Sequence, residues 1–319
     1  MKTATAHNSG QTGAFTFTPK FPPPRFDLQT YRPGCELLGA FAGMPMRDYL
    51  AAPGINSSAV KDILESPLNY KRKCDGLIQN KQTTATEMGT ALHAAILEGK
   101  LDFYTEPLTY GPDSKKWNNN ATECKAWNAS HCDKPVLSAR EAAFVSESFN
   151  YVKTHPKCGH LLTGGHSEIS IFAEVDGVLF KCRPDYYKPG VITDLKSVAD
   201  ASTRGFSKAV PDWGWHIQAA INVKCCAALG VPVRFNWIAL QKGDMPLLNV
   251  VKASQAWLNL GETAIRDALH IKAQCEANNF WPEWPDYDGT NDIQDLPVPH
   301  WMLAEENVTV KVGGIEMNL

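Results

Sequence analysis

Between His166 and Ser197 apolar and polar residues alternate in three short runs, each divided from the next by a turn signal. The first two runs, 167–175 and 178–182, flank Asp176-Gly177, a dipeptide suited to the left-handed backbone of a two-residue hairpin loop. Such a loop fixes the pairing: Val175 faces Val178, Ala173 faces Phe180 and, further along the ladder, Glu168 faces Asp185. Pro189-Gly190 suits a type II turn and leads into the run 191–196, so that Lys188 faces Val191 and Asp185 faces Asp194. Side chains alternate with period two, which puts Lys196 on the face of Asp194. Glu168, Asp185 and Asp194 therefore form a row across three strands, with Lys196 beside it.

Elsewhere the apolar spacing is helical. Ser57-Ser58 offers an N-cap for a helix that Pro67 stops. From Thr86 to Gly99 the stripe Met88, Leu92, Ala95 and Ile96 predicts a second helix, with His93 at the edge of the stripe. A histidine there is either packed against the core or a ligand. Further helices are expected over 141–154 and over 215–229, the latter ended by Gly230, with strands at 233–240 and 247–253 and a long amphipathic helix at 255–278. The meander, crossover helix and return strand predict an α/β domain whose mixed sheet carries helices on its faces. Residues 1–34 are rich in Thr, Pro, Gly and Ser and read as a flexible arm ahead of a single domain at 35–319.

Directly opposed residues in a sheet lie roughly 5 Å apart at Cβ, and like charges at that spacing destabilise the pairing. A hard divalent cation would offset the repulsion, because Mg²⁺ prefers oxygen ligands and is usually held by one or two carboxylates together with a substrate phosphate. The alternative is a shifted register in which one or two of the acids face solvent, and a bulge would produce it.

Arg183-Pro-Asp185 followed by Asp194-Leu-Lys196 resembles the PD-(D/E)xK nuclease signature, with D-x-K as its second half. The flanking order is more specific: Met88-Gly-Thr-Ala-Leu-His93, then Cys182-Arg-Pro-Asp185, Asp194-Leu-Lys-Ser197 and His216-Ile-Gln218. Together with Ser66-Pro67 and Trp284-Pro-Asp-Tyr287, this order resembles the RecE-type exonuclease VIII family of phages and prophages, over about Met44 to Trp301. The resemblance implies a restriction-endonuclease-like core, with an antiparallel meander in a mixed sheet flanked by helices. It implies Asp185, Asp194 and Glu168 around Mg²⁺, for which Mn²⁺ should substitute, with the Leu195 carbonyl as a further ligand and His93 at the metal. Lys196 would orient the attacking water and screen charge, and Gln218 would orient Lys196 or the scissile phosphate. The chain carries Asn222 where the family often has tyrosine, four residues after the glutamine. The implied activity is 5′ to 3′ degradation of linear double-stranded DNA by a ring-shaped homo-oligomer, leaving 3′ single strands for a phage annealing protein of RecT type. A site-specific endonuclease of the same fold, or a non-catalytic DNA-binding relative, are the alternatives.

Composition narrows the field in other ways. A net charge of −3 is no advertisement for nucleic-acid binding, although acids at a metal can mask cations along a DNA path. Candidate phosphate contacts are Arg183, Lys208, Lys71-Arg72-Lys73 and Lys115-Lys116, and the polar stretch 105–135, with Trp117 and Trp127 among lysines, reads as a loop over the site or a DNA-contacting insertion. Nine dispersed cysteines fit a reduced, cytoplasmic protein, and the resemblance implies that the cytoplasm is that of a bacterial host. No apolar run reaches the 18 or more residues of a membrane span, and no P-loop motif is present to couple ATP to movement.

Overall fold

The structure, a computed structural model, describes residues 26–78, 84–284, 298, 309–312 and 315–318. Both reversals turn as their residues require. Asp176 (φ 52°) and Gly177 (φ 77°) are both left-handed, as a type I′ loop demands, and Gly190 (φ 80°) supplies the positive φ of the second turn. Val175 pairs with Val178, Ala173 with Phe180 and Lys188 with Val191.

The expected single meander is divided between two sheets. Strands Ser170–Val175 and Val178–Cys182 join Gly39–Ala42 and Leu28–Thr30 in a four-stranded sheet. Strands His166–Ser167, Tyr186–Lys188 and Val191–Val198 continue into Arg234–Gln241 and Leu247–Lys252 as a five-stranded sheet. Val191–Val198 and Arg234–Gln241 run parallel and the other pairs of this sheet antiparallel, which makes it mixed. The parallel connection passes through helices Thr203–Asp212 and Trp215–Ala228. Strand Leu28–Thr30 lies inside the stretch expected to be a flexible arm, so ordered structure begins before residue 34; residues 1–25 lie outside the described residues.

Two cores sandwich the five-stranded sheet. Ile192 and Val198 point into one, with Ile217, Ala220 and Ile221 of the 215–228 helix. Leu195 points into the other, with Leu92 and Ile96 of helix Thr84–Glu98 and Val145 of helix Ala139–Thr154. Asp194 and Lys196, an even number of residues from Ile192, therefore share the face covered by the 215–228 helix. Helix Ser57–Glu65 is capped by Asn56, whose side chain accepts from the Ala59 N–H at 2.8 Å, rather than by the serines that follow. Pro67 does stop that helix, and it also occupies the first turn of the next, Pro67–Cys74, where its missing N–H costs nothing. The polar stretch 105–135 contains a helix of its own, Thr122–Ser130. No described helix is long and apolar enough to cross a membrane.

Candidate active site

Glu168 stands where the hairpin passes from one sheet to the other. Its N–H still donates to the Asp185 carbonyl at 3.1 Å, so the register holds through the break. Its φ of 53° is left-handed, which costs a residue with a Cβ about 1 kcal/mol or more and persists only where surroundings enforce it. Arg183 does so. Its Nε donates to Glu168 Oε2 at 2.8 Å, and its Nη1 donates to the Met44 carbonyl at 2.8 Å and Ser170 Oγ at 3.2 Å. Expected as a phosphate contact, Arg183 spends these donors inside the protein.

His93 enters from the opposite core on the 84–98 helix. Its Nε2 lies 3.1 Å from the Leu195 carbonyl, which can only accept, so Nε2 carries a proton and the neutral ring offers the lone pair of Nδ1. Nδ1 is 3.6 Å from Asp185 Oδ2 and 3.9 Å from Glu168 Oε1. One donor atom each from His93, Glu168 and Asp185 all lie within 4.8 Å of one another. This set of one imidazole and two hard carboxylates fits a divalent cation. Asp185 is itself fixed by the Leu195 N–H, which donates to Oδ2 at 2.7 Å.

Asp194 sits one step outside that triad, fully buried. Lys196 Nζ forms an ion pair with its Oδ2 at 2.7 Å, and Gln218 Nε2 donates to its Oδ1 at 2.8 Å. Gln218 therefore holds the acid rather than the lysine directly. Asn222, the departure noted in the sequence, is buried and donates from Nδ2 to the Gln218 carbonyl at 2.8 Å. Trp215, which sequence reasoning did not single out, places its ring 5.6 Å from the Lys196 ammonium. A cavity of about 310 Å³ opens onto the site, lined among others by His93, Glu168, Arg183, Asp185, Gln218 and Asn222.

The charges at the site act on one another in both directions. Burial disfavours the His93 imidazolium, but Asp185 and Glu168 outweigh it and push the ring up to about 9. Burial would raise Glu168, yet His93 and Arg183 hold it below the usual carboxylate range. Burial and the Asp194 charge push Asp185 upward. Lys196 is disfavoured by burial and nonetheless raised by Asp194 and Asp185.

The other candidate phosphate contacts are exposed or already paired with acids. Lys71 pairs with Asp75 on the 67–74 helix and Lys73 pairs with Asp62 at 2.7 Å, whereas Arg72 and Lys208 are exposed. Lys115 and Lys116 are exposed on a two-residue strand of the 105–135 stretch.

Residues 56–289 match the family described as a PDDEXK-like domain of unknown function (DUF3799). The chain belongs to this PDDEXK-like family. Its mixed sheet, helices and family assign a PD-(D/E)xK fold, at a level coarser than RecE-type membership. The chain superposes on the crystal structure of a candidate exonuclease from Eubacterium rectale with a TM-score of 0.56 and 16% identity, covering 82% of this chain and 98% of that one. Looser overlaps reach an alkaline exonuclease from Laribacter hongkongensis (TM-score 0.27, 13% identity, 73% and 96% covered) and a phage-related exonuclease from Haemophilus somnus (0.29, 10%, 72% and 98%). At 16% identity the likeness to the Eubacterium rectale protein is one of fold. A comparison with curated proteins found no match. The late motif residues Pro285 to Tyr287, and Trp301, lie outside the described residues.

Proposed function

We propose that this PDDEXK-like protein is a divalent-metal-dependent deoxyribonuclease acting on linear double-stranded DNA. The reading rests on one observation: the convergence of His93, Glu168 and Asp185 within 4.8 Å, beside a lysine locked to a buried aspartate. Mg²⁺, or Mn²⁺ in its place, would be held by those three residues. A divalent cation there would polarise a phosphate oxygen and make bound water a nucleophile near neutral pH.

The chain's own groups set the geometry around that chemistry. Arg183 fixes the Glu168 carboxylate, the Leu195 N–H fixes Asp185, and the Leu195 carbonyl fixes the tautomer of His93. Gln218 and Asp194 hold the Lys196 ammonium at the site, where its charge screens the negative charge that develops on the phosphate as the bond breaks. The cavity in front of the triad gives a phosphodiester room to enter.

Following the resemblance in the motifs, we extend the proposal to degradation from 5′ ends by a ring-shaped homo-oligomer that hands 3′ strands to a phage annealing protein. Incubating 5′-labelled linear duplex and covalently closed circles with Mg²⁺ tests it. Loss of label from linear DNA while circles persist supports an exonuclease. Rapid linearisation of supercoiled circles favours an endonuclease, and survival of both substrates overturns the nuclease reading.

A further inference from the structure

Beside Lys196 the chain presents a ladder of aromatic rings that the chemistry above leaves unused. Trp213 stacks on Trp215 with ring centres 6.5 Å apart and planes 18° apart, and Trp215 stacks in turn on Phe206 at 5.3 Å and 24°. Phe206 meets the buried Trp237 edge-on at 5.8 Å. The ladder thus runs from the core out to Trp213, whose surface is 62% exposed.

The backbone holds the outer ring in that position. Gly214, between the two tryptophans, is left-handed at φ 66°, and a Cβ there would come within 2.3 Å of the Lys61 side chain. Lys61 reaches across from the 57–65 helix to donate to the Trp213 carbonyl at 3.0 Å. Trp213 is therefore a pinned, outward-facing indole with Lys61 at its carbonyl and Lys196 over the next ring, Asp212 being the acid beside it in the chain.

We infer that Trp213 is the stacking platform for a nucleobase of the strand being cut, an inference that rests on the deoxyribonuclease reading. The two contacts in series place its ring centre no farther than about 12 Å from the Lys196 ammonium. At a rise of about 3.4 Å per base in a stacked strand, that is within about three or four nucleotides of the scissile phosphate. Every base offers a π-face, so an aromatic platform grips the strand without regard to sequence, while neighbouring cations attract its backbone. Such a contact next to the reaction centre would hold a strand of any sequence still during each cut.

The test is DNA binding by the intact protein, with Ca²⁺ replacing Mg²⁺ and a fluorescein-labelled duplex of mixed sequence. The parent, Trp213→Ala and Trp213→Tyr are compared on intact duplex and on duplexes with one abasic site walked through the first six nucleotides of the cut strand. Stacking is worth about 1–3 kcal/mol per base, so Trp213→Ala should bind about 5- to 150-fold more weakly and Trp213→Tyr should recover most of the loss. One abasic position should weaken the parent by a similar factor and leave Trp213→Ala unaffected. A Trp213→Ala protein that binds as tightly as the parent, or that weakens on every abasic duplex alike, overturns the inference. A parent that neither binds nor hydrolyses duplex DNA overturns the deoxyribonuclease reading, and this inference falls with it.

Discussion

Replacing Lys196 with Met should destabilise the protein as well as silence it. Lys196 retains 15% side-chain exposure and Asp194 only 1%, and the two meet at 2.7 Å. Removing the ammonium leaves Asp194 buried and close to a second acid, Asp185, with a single hydrogen bond from Gln218 as compensation. Breaking a buried pair from one side costs about 3–5 kcal/mol. Lys196 keeps some contact with water, so the lower figure applies, and about 3 kcal/mol corresponds to a fall of about 4–5 °C in melting temperature for a chain of 319 residues. Asp194→Asn should cost less, about 1–2 kcal/mol, because Lys196 keeps Asp185 and Glu168 in its field. The double variant removes both charges and should melt closer to the parent than Lys196→Met does, a coupling that additive effects cannot reproduce. All four proteins are melted in EDTA and followed by circular dichroism. A Lys196→Met protein melting within 2 °C of the parent, or a double variant losing the sum of the single losses, would refute the buried-pair reasoning.

Asp185→Asn keeps the shape of the side chain and removes a charge that burial and Asp194 disfavour, so the metal-free variant should melt slightly above the parent, by about 1 kcal/mol. Its stabilisation by Mg²⁺ should shrink, whereas the parent should gain about 2.7 kcal/mol at a metal concentration 100 times its Kd; a lower metal-free melting point with an undiminished metal response would separate Asp185 from the site. pH dependence gives a further check in EDTA. His93 is raised to about 9 in the folded protein from about 6.5 unfolded, so its stabilising contribution is complete below pH 6.5 and is lost as pH rises through 9. Asp185, raised to about 7, loses its contribution mostly below that window, so the fall in melting temperature between pH 7 and 9 is carried by His93 and should be less steep in His93→Gln. A flat or rising profile in the parent would contradict these shifts.

The parts of the site set by local turn chemistry were legible in the sequence. Asp176-Gly177 and Pro189-Gly190 dictate their loops, and the loops dictate which residues face one another as far as Glu168, Asp185 and Asp194. What the chain alone concealed is set by partners distant in sequence. The division of the meander into two sheets depends on a left-handed Glu168, which Arg183 holds, and nothing in the local pattern marks a glutamate for that conformation. Arg183, Lys71 and Lys73 have carboxylate partners that their residue types alone do not reveal. The Gln218 amide donates to Asp194, whose buried oxygen needs a donor, a partner that the sequence does not mark. Helix 203–212, with Pro211 in its last turn, is not among the helices the sequence pattern predicts, and the Trp213 ladder lies at its end.

The most direct test of the central claim is the initial rate of nucleotide release from 5′-labelled linear duplex, for the parent and Asp185→Asn, in EDTA and across a Mg²⁺ titration. The parent should be inactive in EDTA and active with Mg²⁺, and Asp185→Asn should fall below a tenth of the parental rate, a loss of more than about 1.4 kcal/mol in barrier reduction. Hydrolysis by the parent in EDTA, or an Asp185→Asn protein retaining the parental rate and Mg²⁺ dependence, would contradict a metal-dependent nuclease centred on His93, Glu168 and Asp185.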